Sequence, residues 1–404
     1  MAYSGKFLNP DAKASKKAKQ KPSPEKKKGK GKKVALIVSL LLVVLLSAAA
    51  VGGIMLYNSL INKVNRAEVV DKDYTMNDEL QQMMGVMEET EETTLPSIAE
   101  TALVEETIPA ETAPAPTVDP NKKPDILNVL VVGQSAREGE EYRMADTMIL
   151  VTINKDTKVV TLTSFLRDTF VKLPDYKGHV CGKNRINVCY HLGWTWGDTG
   201  GAMEMTNLCL KNNFGIEVDH NVEVDFNAFK QVIEILGGIR IELTEAEAKY
   251  LNDEPTNWQE VEAGENRLYG DAALAYARMR KAEGDSDSDI KRTERQRKLL
   301  TAIFNKLKSK GMSGVQDIAN EILPMISTNM TNAQITSAML DLLPLLKDLN
   351  IETGTCPVSG SYKGEVLELS GVPSSVIRFD STTNKRQMMM LTEGITEEEA
   401  AKIY

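Results

Sequence analysis

Apolar positions along the chain form short continuous runs from residue 126 onwards, and each run is followed by glycine or by polar residues. Ile126–Val132, Thr147–Ile153 and Lys158–Ser164 are three such runs. Their length and their content of β-branched residues predict strands, and the first, which ends at Gly133, is typical of a buried strand. The four polar residues 154–157 between the second and third runs predict a hairpin turn.

Amphipathic helices alternate with strands in the second half of the chain. Two further short strands, Val222–Phe226 and Ile239–Leu243, separate helices with recognisable starts and stops. The predicted helices are one that Gly200-Gly201 opens and Gly215 ends, one from Asn227 to Leu236, one that the capping box Thr244–Glu247 starts, one over Ala272–Ala277 capped by Asp271, and one from Asp289 to about Lys308. Strands that alternate with helices but include a hairpin predict an α/β fold with a mixed β-sheet sandwiched by α-helices.

The C-terminal region continues this pattern on a smaller scale. Residues 315–349 predict two more helices joined around Thr331-Asn332, and residues 351–404 predict short strands followed by a helix from Thr396. We therefore divide the folded part into a main domain, 126–310, and a helical and stranded appendage, 311–404.

A long apolar segment stands apart from the folded region. Residues 34–57 contain no charged side chain, and these 24 residues at 1.5 Å each make about 36 Å of helix. A bilayer core is about 30 Å thick, so this segment predicts a transmembrane helix. A cleaved signal peptide is the alternative, but its apolar region is usually about 7–15 residues long and its basic region is short.

Charge is sorted along the chain around that segment. The net charge of −9 hides twelve lysines against two acids in residues 1–33, and fifteen acids against five bases in residues 58–125. Lysine-rich flanks stay in the cytoplasm, so we expect a single-pass protein of the cell membrane with its N-terminus cytoplasmic and residues 58–404 outside. The tail 1–33 is expected to contact anionic membrane lipid and not nucleic acid, for which the sequence contains no binding fold.

The acidic segment 58–125 ends in a stretch rich in Thr, Pro and Ala. Low hydrophobicity with repeated proline cannot offset the entropy of folding, which predicts an extended linker with some helix within residues 58–87. No ATP is supplied outside a bacterial-type membrane. A bond-forming enzyme in that compartment therefore needs a substrate that is already activated.

The usual signatures of hydrolases and nucleotide-binding proteins are absent from the sequence. It contains no HExxH, GxSxG, CxxC or Walker pattern, and its three histidines lack the spacing of metal ligands. Arginines in turn contexts stand out instead. Arg167 and Asp168 follow a strand end, where α/β folds place ligands, and Arg278 and Arg280 end a short helix.

One predicted helix face carries three further polar side chains. Arg292, Arg295 and Gln296 are spaced three and four residues apart. Like charges at that spacing repel, so either local acids such as Glu294 pair with a solvated basic face or an anion lies against it. Arginine forks suit phosphate oxygens, which favours a polyanion site as the second interpretation. Asp146, just before a strand, is the carboxylate best placed to hold Mg²⁺ beside bound phosphate.

An ordered set of short motifs runs through residues 126–310. The set is Asn128-Val129-Leu130-Val131-Val132-Gly133; Ala145-Asp146-Thr147-Met148-Ile149-Leu150; Ser164-x-x-Arg167-Asp168-Thr169; Arg185-Ile186-Asn187; Gly200-Gly201; Val224-Asp225-Phe226; Leu236-Gly237-Gly238-Ile239; Leu274-Ala275-Tyr276-Ala277-Arg278-x-Arg280; and Asp289-x-x-Arg292-x-x-Arg295-Gln296. In this order, the motifs resemble the LytR-CpsA-Psr family of envelope glycopolymer transferases. The layout of anchor, linker and outer domain is also similar to that family.

The resemblance implies a phosphotransferase that acts outside the membrane. Its donor would be a glycopolymer, of teichoic-acid or capsule type, carried on a polyprenyl diphosphate. Its acceptor would be a hydroxyl of peptidoglycan. Because the diphosphate is already activated, transfer from this donor needs no ATP, which is not supplied outside the membrane.

The resemblance also implies roles for individual residues. The arginines would bind diphosphate oxygens and stabilise charge during transfer; they are Arg167, Arg278, Arg280, Arg292 and Arg295. Asp146 would hold Mg²⁺. Asp168 would either orient the arginine before it or accept the proton of the acceptor. Arg185, Asn187 and Gln296 would bind or orient the substrate.

Two positions depart from the family pattern. Ser135 stands where the family often has a carboxylate used for metal, and Met144 stands where it often has arginine, with Arg143 one residue earlier. The missing carboxylate is expected to weaken binding of Mg²⁺. Both departures favour the alternative of a non-catalytic receptor or regulator that binds lipid-diphosphate glycans. A polyprenyl diphosphate hydrolase, with water in place of the sugar hydroxyl, is a further alternative.

All four cysteines, Cys181, Cys189, Cys209 and Cys356, follow the predicted membrane segment. The outer compartment permits disulfides, and buried free thiols are the alternative. Four cysteines allow three complete pairings, so the sequence leaves their connectivity open.

Overall fold

The structure of the protein is a computed structural model that describes residues 64–72, 76–85, 124–134, 143–280, 282, 288–342, 344–369 and 371–404. The predicted tail 1–33, the predicted membrane segment 34–57 and Ser135 lie outside these residues. Within the described ranges, no helix combines the length and the apolar character that crossing a bilayer requires.

Helices and strands alternate through the described part of the chain. The helices are α1 (Asp78–Met83), α2 (Val188–Phe214), α3 (Phe226–Ile235), α4 (Glu245–Asp253), α5 (Gly270–Arg278), α6 (Ser288–Ile322), α7 (Asn332–Leu342), α8 (Ser381–Glu393) and α9 (Glu397–Ile403). The strands are β1 (Asn65–Arg66), β2 (Ile126–Gln134), β3 (Ala145–Asn154), β4 (Val159–Phe165), β5 (Phe170–Lys172), β6 (Lys183–Arg185), β7 (His220–Val224), β8 (Ile239–Leu243), β9 (Gly264–Leu268), β10 (Ser327–Thr328), β11 (Asn350–Cys356), β12 (Tyr362–Leu369) and β13 (Val372–Phe379).

A mixed sheet forms the centre of the fold, as the sequence predicts. Its strand order is β1-β10-β7-β2-β3-β4-β11. β2 pairs antiparallel with β3 and parallel with β7, and β3 pairs antiparallel with β4. The three predicted strands that open the domain are therefore neighbours in the sheet. The turn between β3 and β4 is closed by Asn154, whose Oδ1 accepts from the backbone N–H groups of Asp156 and Thr157.

Successive residues of β3 point to opposite faces of the sheet, and each face is covered by helices. Met148 and Leu150 belong to a core cluster that includes Tyr190 of α2 and Met388 of α8. The alternate positions of β3 belong to a second cluster, which Leu300 of α6 packs against. The expected sheet between two helical layers is thus present, because both faces of the strand are apolar.

A third cluster gathers the elements between residues 226 and 282. Ile239 and Ile241 of β8 pack there with Leu268 of β9, Leu251 of α4 and Tyr276 of α5. β8 and β9 form a separate two-stranded sheet. Leu299 of α6 belongs to this cluster, so α6 packs against both the central sheet and this smaller layer.

Helix α2 is a hairpin of two helical arms. Gly197 and Asp198 interrupt it with non-helical backbone angles, and Gly215, with φ of 73°, ends it as predicted. A Cβ placed on Gly193 would lie 2.3 Å from the carbonyl oxygen of Gly201, so the arms approach backbone to backbone. The sequence indicated only the second arm, because Gly200-Gly201 was interpreted as a helix start, whereas Gly201 lies against Gly193 of the first arm.

Three predicted helix boundaries were wrong. The N-cap of α3 is Asp225 and not Asn227, since the Asp225 side chain accepts from the backbone N–H of Ala228. The N-cap of α5 is Tyr269 and not Asp271, which lies in the first turn, and no side chain caps this helix. Helix α6 continues to Ile322, beyond the predicted end near Lys308. The capping box at Thr244 is present as predicted.

The C-terminal residues are built into the same sheet. β11 pairs in parallel with β4 over seven residues, from Asn350 opposite Val159 to Cys356 opposite Phe165. Helix α6 runs continuously through residue 310, where the sequence suggested a domain boundary. Helix α8, which the sequence did not reveal, packs on the first core cluster through Met388.

Part of the predicted linker also belongs to the fold. β1 pairs with β10 at the edge of the central sheet, and the backbone N–H of Val70 donates to Gly197 O at 3.1 Å. The side chain of Asn184 donates to Met83 O at 3.1 Å. These contacts are mostly backbone hydrogen bonds, which composition does not reveal. The helix expected within residues 58–87 is present as α1, over Asp78–Met83.

The four cysteines are free and buried. Burial is the main cause that raises the pKa of the Cys189 thiol, and a hydrogen bond with Cys209 adds to it. These two thiols lie on opposite arms of the α2 hairpin, which the sequence could not place together.

Candidate functional site

The candidate site lies at one edge of the central sheet. Gly133, near the end of β2, is paired with Thr147, near the start of β3, and β4 ends at Phe165 on the same edge. Asp146 is the second residue of β3, and Arg167 follows β4 by two residues. The antiparallel order β2-β3-β4 therefore brings Asp146 and Arg167 together, although 21 residues separate them in the chain.

Arg167 occupies the centre of this site and contacts three carboxylates. Its Nη1 donates to Asp146 Oδ1 at 2.9 Å, its Nε lies 3.6 Å from Asp168 Oδ2, and its Nη2 lies 3.4 Å from Asp289 Oδ1. Burial alone would lower the pKa of Arg167, but the charges of Asp289, Asp168 and Asp146 outweigh it and raise the pKa. The guanidinium is thus held in one orientation and fully charged.

Asp289 joins this centre from the first turn of α6. Its Oδ1 lies 2.9 Å from Arg292 Nη2 in addition to its contact with Arg167. Burial raises the pKa of Asp289 despite the opposing effect of both arginines. Asp289 was predicted to start a helix and opens the last of the family motifs, but no role at the site was assigned to it. The signal that could have identified it is its position three residues before Arg292, on the same helix face.

Arg185 and Asn187 border the site on the side of the small sheet β5-β6. Arg185 Nη1 lies 3.5 Å from Asp168 Oδ1, so Asp168 lies between two guanidinium groups. The backbone N–H of Asn187 donates to Arg167 O at 3.4 Å. This arrangement favours the orienting role of Asp168 over the proton-accepting role.

Several arginine N–H groups at this centre lack a hydrogen-bond acceptor within the described part of the chain. The Nε atoms of Arg167, Arg185 and Arg292 are all buried without a hydrogen-bond acceptor. A buried donor left unsatisfied costs about 1–3 kcal/mol, and more when it is charged. Three such donors at one location indicate a binding site for an anion with several oxygens, which arginine forks bind well.

Arg278 and Arg280 lie at the end of α5 and are exposed. Helix α5 ends at Arg278, as predicted, so the helical geometry that would turn residues two apart to different faces does not extend to Arg280. The guanidinium of Arg278 stacks on the ring of Phe226 at 5.0 Å. Arg280 is close enough to lower the pKa values of both Asp289 and Arg292, so it faces the same centre.

Arg295 and Gln296 have a different position from the one expected. Arg295 Nε lies 2.8 Å from Glu247 Oε1, and its Nη1 donates to Met279 O at 3.3 Å. Gln296 Nε2 donates to Ala277 O at 3.3 Å. Both side chains therefore hold the last turn of α5, from which Arg278 and Arg280 extend. The sequence did not reveal Glu247 as the partner, because it lies 48 residues away.

The solvated basic face that the sequence left open is not observed. Arg292 and Arg295 are buried. Glu294, the expected local partner, lies 3.0 Å from Lys291 instead. The helix face points into the protein, where one arginine meets the anion-binding centre and the other a buried carboxylate.

One carboxylate fits a site for a divalent cation. Asp146 Oδ1 accepts from Arg167, and its side chain remains 32 % exposed. Within the described ranges, no group of three or more His, Cys, Asp or Glu side chains is arranged to hold a metal. Mg²⁺ needs only one or two protein carboxylates when substrate phosphates supply the remaining ligands, so Asp146 is compatible with such an ion.

The departure at residue 144 has a defined environment. Met144 is buried in the first core cluster, so its side chain does not reach the arginine centre. Arg143 stacks on the indole of Trp194 at 5.0 Å, and its backbone contacts His191 Nδ1. Arg143 therefore does not take the place of an arginine at position 144 beside Arg167.

Comparison with known proteins places these features in a family. The model of the LytR_cpsA_psr family matches residues 60–381. The polyisoprenyl-teichoic acid–peptidoglycan teichoic acid transferase TagU of Bacillus subtilis is 35% identical over 186 residues, which are 46% of this chain and 53% of TagU. The TagU protein of Oceanobacillus iheyensis is 30% identical over 209 residues, which are 52% of this chain and 59% of that protein. The chain thus spans between half and three fifths of the length of these relatives.

Solved structures share the fold. A structure of TagT bound to LI-WTA has a TM-score of 0.51 and 25% identity, and covers 69% of this chain and 94% of TagT. A Streptococcus agalactiae protein has a TM-score of 0.54 and 21% identity, and covers 69% of this chain and 95% of that protein. The central mixed sheet with its helices is therefore an architecture already seen in crystals.

Proposed function

The chain belongs to the LytR-CpsA-Psr family, and we propose that it is a membrane-anchored phosphotransferase acting outside the cell membrane. Its donor is a glycopolymer of teichoic-acid or capsule type on a polyprenyl diphosphate, and its acceptor is peptidoglycan. The observation that carries this proposal is the arginine centre, in which three buried Nε atoms at Arg167, Arg185 and Arg292 have no acceptor among the described residues. The names of the curated relatives support the donor and the acceptor.

The proposed location follows from the sequence. Residues 34–57 anchor the protein, the lysine-rich tail lies in the cytoplasm, and residues 58–404 lie outside. A lipid-linked donor is confined to the membrane surface, so an anchored enzyme meets it without diffusing through the wall.

The reaction exchanges the phosphoanhydride bond of the diphosphate for a phosphate ester bond. An acceptor hydroxyl oxygen attacks the phosphorus that carries the glycopolymer, and the bond from that phosphorus to the bridging diphosphate oxygen breaks. Polyprenyl phosphate leaves, and the glycopolymer is joined to peptidoglycan by a new phosphodiester. Negative charge moves onto the leaving phosphate, where Arg167, Arg280 and Arg292 stabilise it.

The acceptor proton needs a base at the same centre, and Asp289 fits this role best. Burial raises its pKa, and a base acts best when its pKa approaches the working pH. Asp168 lies between Arg167 and Arg185 and orients both guanidinium groups. Arg295 and Gln296 are positioning residues, since they hold the turn that carries Arg280.

Asp146 is the residue that would hold Mg²⁺, together with diphosphate oxygens. The ion would neutralise phosphate charge beside Arg167 when it is bound. Ser135, where the family often has a carboxylate, leaves this chain with fewer ligands, so we expect weak binding of the ion.

A receptor that binds the donor without transferring it is the second candidate. Met144, buried where the family often has arginine, leaves the site with one cation fewer. A Streptococcus mutans relative, 28% identical over 246 residues, is named biofilm regulatory protein A. In a hydrolase, water would attack in place of the acceptor hydroxyl, and the product would be free glycopolymer phosphate.

One experiment separates these candidates. The full-length protein in detergent is incubated with a polyprenyl-diphosphate glycan and peptidoglycan fragments, with and without Mg²⁺. Glycan covalently joined to peptidoglycan supports the proposal; bound donor without product supports the receptor, and free glycan phosphate the hydrolase. Arg167→Ala should lower transfer by about 100-fold or more, because one preorganised donor to developing charge is worth that much. Arg386→Ala, whose guanidinium contacts Tyr404 O in the C-terminal helices, is the matched control.

A further inference from the structure

An exposed tryptophan stands on the loop between α4 and β9, on the smaller layer of the fold. Trp258 is 88 % exposed, more than any other large hydrophobic side chain in the described part of the chain. Single exposed apolar side chains are common, but tryptophan is enriched at binding surfaces, where its ring supplies a large contact area. The transfer chemistry at the arginine centre makes no use of this side chain.

The loop that carries Trp258 is held by its own amide side chains. Asn257 Nδ2 donates to Leu251 O at 2.7 Å and to Gln259 O at 2.8 Å. Asn252 bonds to both backbone groups of Val261, accepting from N–H at 3.0 Å and donating to the carbonyl at 2.9 Å. Because these bonds fix the backbone on both sides of residue 258, the indole is presented without the entropy cost of ordering a loop.

Gln259 ties the same loop to the neighbouring strand. Its Nε2 donates to Arg267 O at 2.6 Å, and its Oε1 accepts from the backbone N–H of Tyr269 at 3.2 Å. The loop is therefore braced against β9 and the start of α5. Trp258 lies between two residues, Asn257 and Gln259, that are both anchored.

A pocket of about 730 Å³ opens beside the indole. It is shallow and mostly polar, and its lining contains the carboxylates of Glu260, Glu262 and Glu265 but no lysine or arginine. Glu265 Oε1 lies 3.0 Å from Arg240 Nη1, outside that lining. An anionic polymer would be repelled from these carboxylates, as would an anionic lipid surface. The carboxylates would instead accept hydrogen bonds from hydroxyl and amide N–H groups.

We propose that Trp258 and this pocket form a subsite for an uncharged N-acetylated sugar chain. The face of an indole is apolar and suits the C–H face of a pyranose ring, while carboxylates and amide oxygens accept the hydroxyl and acetamido donors at its rim. This combination of one exposed aromatic platform and acceptors around it, with no cation in the lining, fits a neutral glycan. It does not fit the phosphate-bearing donor.

The position of the subsite relates it to the acceptor, a step that rests on the proposed function. Helix α4 connects the two places: Glu247 in its first turn pairs with Arg295, which also bonds to Met279 O. Asn252 is five residues further along the same helix, about 7.5 Å along its axis. Helix α4 thus joins the residue that fixes the turn of Arg280 to a residue that fixes the loop of Trp258, and a peptidoglycan strand on Trp258 would lie on the same layer of the fold as that turn.

The test measures binding directly, without donor. The full-length protein in detergent is titrated with oligomers of N-acetylglucosamine by calorimetry and by tryptophan fluorescence. Trp258→Ala should weaken binding about tenfold, the effect of losing one aromatic stacking platform, and Trp258→Phe should retain most of it. Val366→Ala, at a 67 % exposed position on β12, is the control and should leave the affinity unchanged.

Poly(glycerol phosphate) and vesicles of phosphatidylglycerol are titrated in parallel. The proposal predicts that Trp258→Ala alters neither interaction. Equal affinity of the wild type and Trp258→Ala for the sugar oligomers would overturn it, as would an effect confined to the anionic polymer or to the vesicles. Equal affinity would mean that Trp258 binds no sugar chain, and an effect confined to the polymer or the vesicles would mean that it binds an anionic partner.

Failure of the proposed function is recognisable separately. If sugar binding depends on Trp258 but the protein transfers no glycopolymer, the subsite proposal stands and only the proposed reaction is wrong. If Trp258→Ala transfers glycopolymer with an unchanged KM for peptidoglycan fragments, only the subsite proposal is wrong.

Discussion

Arg295 Nε lies 2.8 Å from Glu247 Oε1, and the two side chains are only 4 % and 6 % exposed. The same guanidinium donates to Met279 O, at the end of the helix that carries Arg278. The Asp-x-x-Arg-x-x-Arg-Gln motif thus combines two tasks on one helix. Arg292 faces the anion-binding centre, and Arg295 fixes the geometry of the turn beside it.

Removing this buried partner should destabilise the protein. Arg295→Met leaves the Glu247 carboxylate buried without its cation, so we expect the free energy of unfolding to fall by about 3–5 kcal/mol. Urea denaturation measures the change. Arg240→Ala, which breaks an exposed pair with Glu265, should cost at most about 1 kcal/mol. A loss of donor affinity at unchanged stability would instead make Arg295 a direct diphosphate ligand.

Asp289 should set the acid limb of the pH profile of transfer. Its pKa is raised by burial, so its carboxylate becomes protonated at a higher pH than the ordinary value of about 3.9. The rate kcat should therefore fall as the pH drops through this raised pKa, where the base is lost. Asp289→Asn should lower kcat by about 100-fold or more and remove that limb. An unchanged profile in the variant would exclude Asp289 as the base.

Glu223 gives a prediction about stability and pH. Burial raises its pKa, although the hydrogen bond from Tyr190 and the charge of Arg143 oppose the shift. A carboxyl with a raised folded-state pKa stabilises the fold below its unfolded pKa, and this contribution is lost as pH rises through the folded value. Glu223→Gln should therefore be more stable than the wild type near pH 8. Urea denaturation at several pH values should show the difference shrinking and then reversing towards pH 4.

The α2 hairpin depends on a glycine without room for a side chain. A Cβ on Gly193 would lie 2.3 Å from Gly201 O and 2.8 Å from the Cα of Ala202. Gly193→Ala must separate the two arms and should cost about 1–3 kcal/mol. Gly364→Ala on β12, where a Cβ meets nothing within 4 Å, is the matched control. Thermal unfolding of both variants compares the two positions, and equal stability would contradict the tight packing of the arms.

The cysteines should be unreactive in the folded protein. Burial, with a smaller effect of Asp175, raises the pKa of Cys181 to about 12, and the other three thiols are also buried. Only the thiolate is nucleophilic, so alkylation at pH 8 should label none of the four before unfolding. Mass spectrometry should find four alkylated thiols after denaturation without reductant. A smaller number would show that a disulfide forms in the outer compartment.

Local rules account for the part of the fold that was predicted correctly. The strands β2, β3 and β4, the hairpin between the last two, the capping box at Thr244 and the helix start at Thr396 depend on neighbouring residues. The predicted helix starts at Asn227 and Asp271 were wrong. The side chain of Asp225 caps α3 instead, and α5 begins without a side-chain cap. Helix α8 escaped prediction because its apolar positions are few and its burial comes from contacts with α2.

The sequence by itself determined which chemistry the site has: arginines and aspartates at strand and helix ends, in motifs that identify the family. Only the tertiary structure decided which of them meet. Arg167, Asp146 and Asp289 are brought together by strand order and by the packing of α6, over separations of 21 to 143 residues. Arg295 belongs to the same motif as Arg292 but turns to Glu247. Spacing along a helix determines which residues share a face, whereas the partner of each side chain depends on the distant segment that packs against that face.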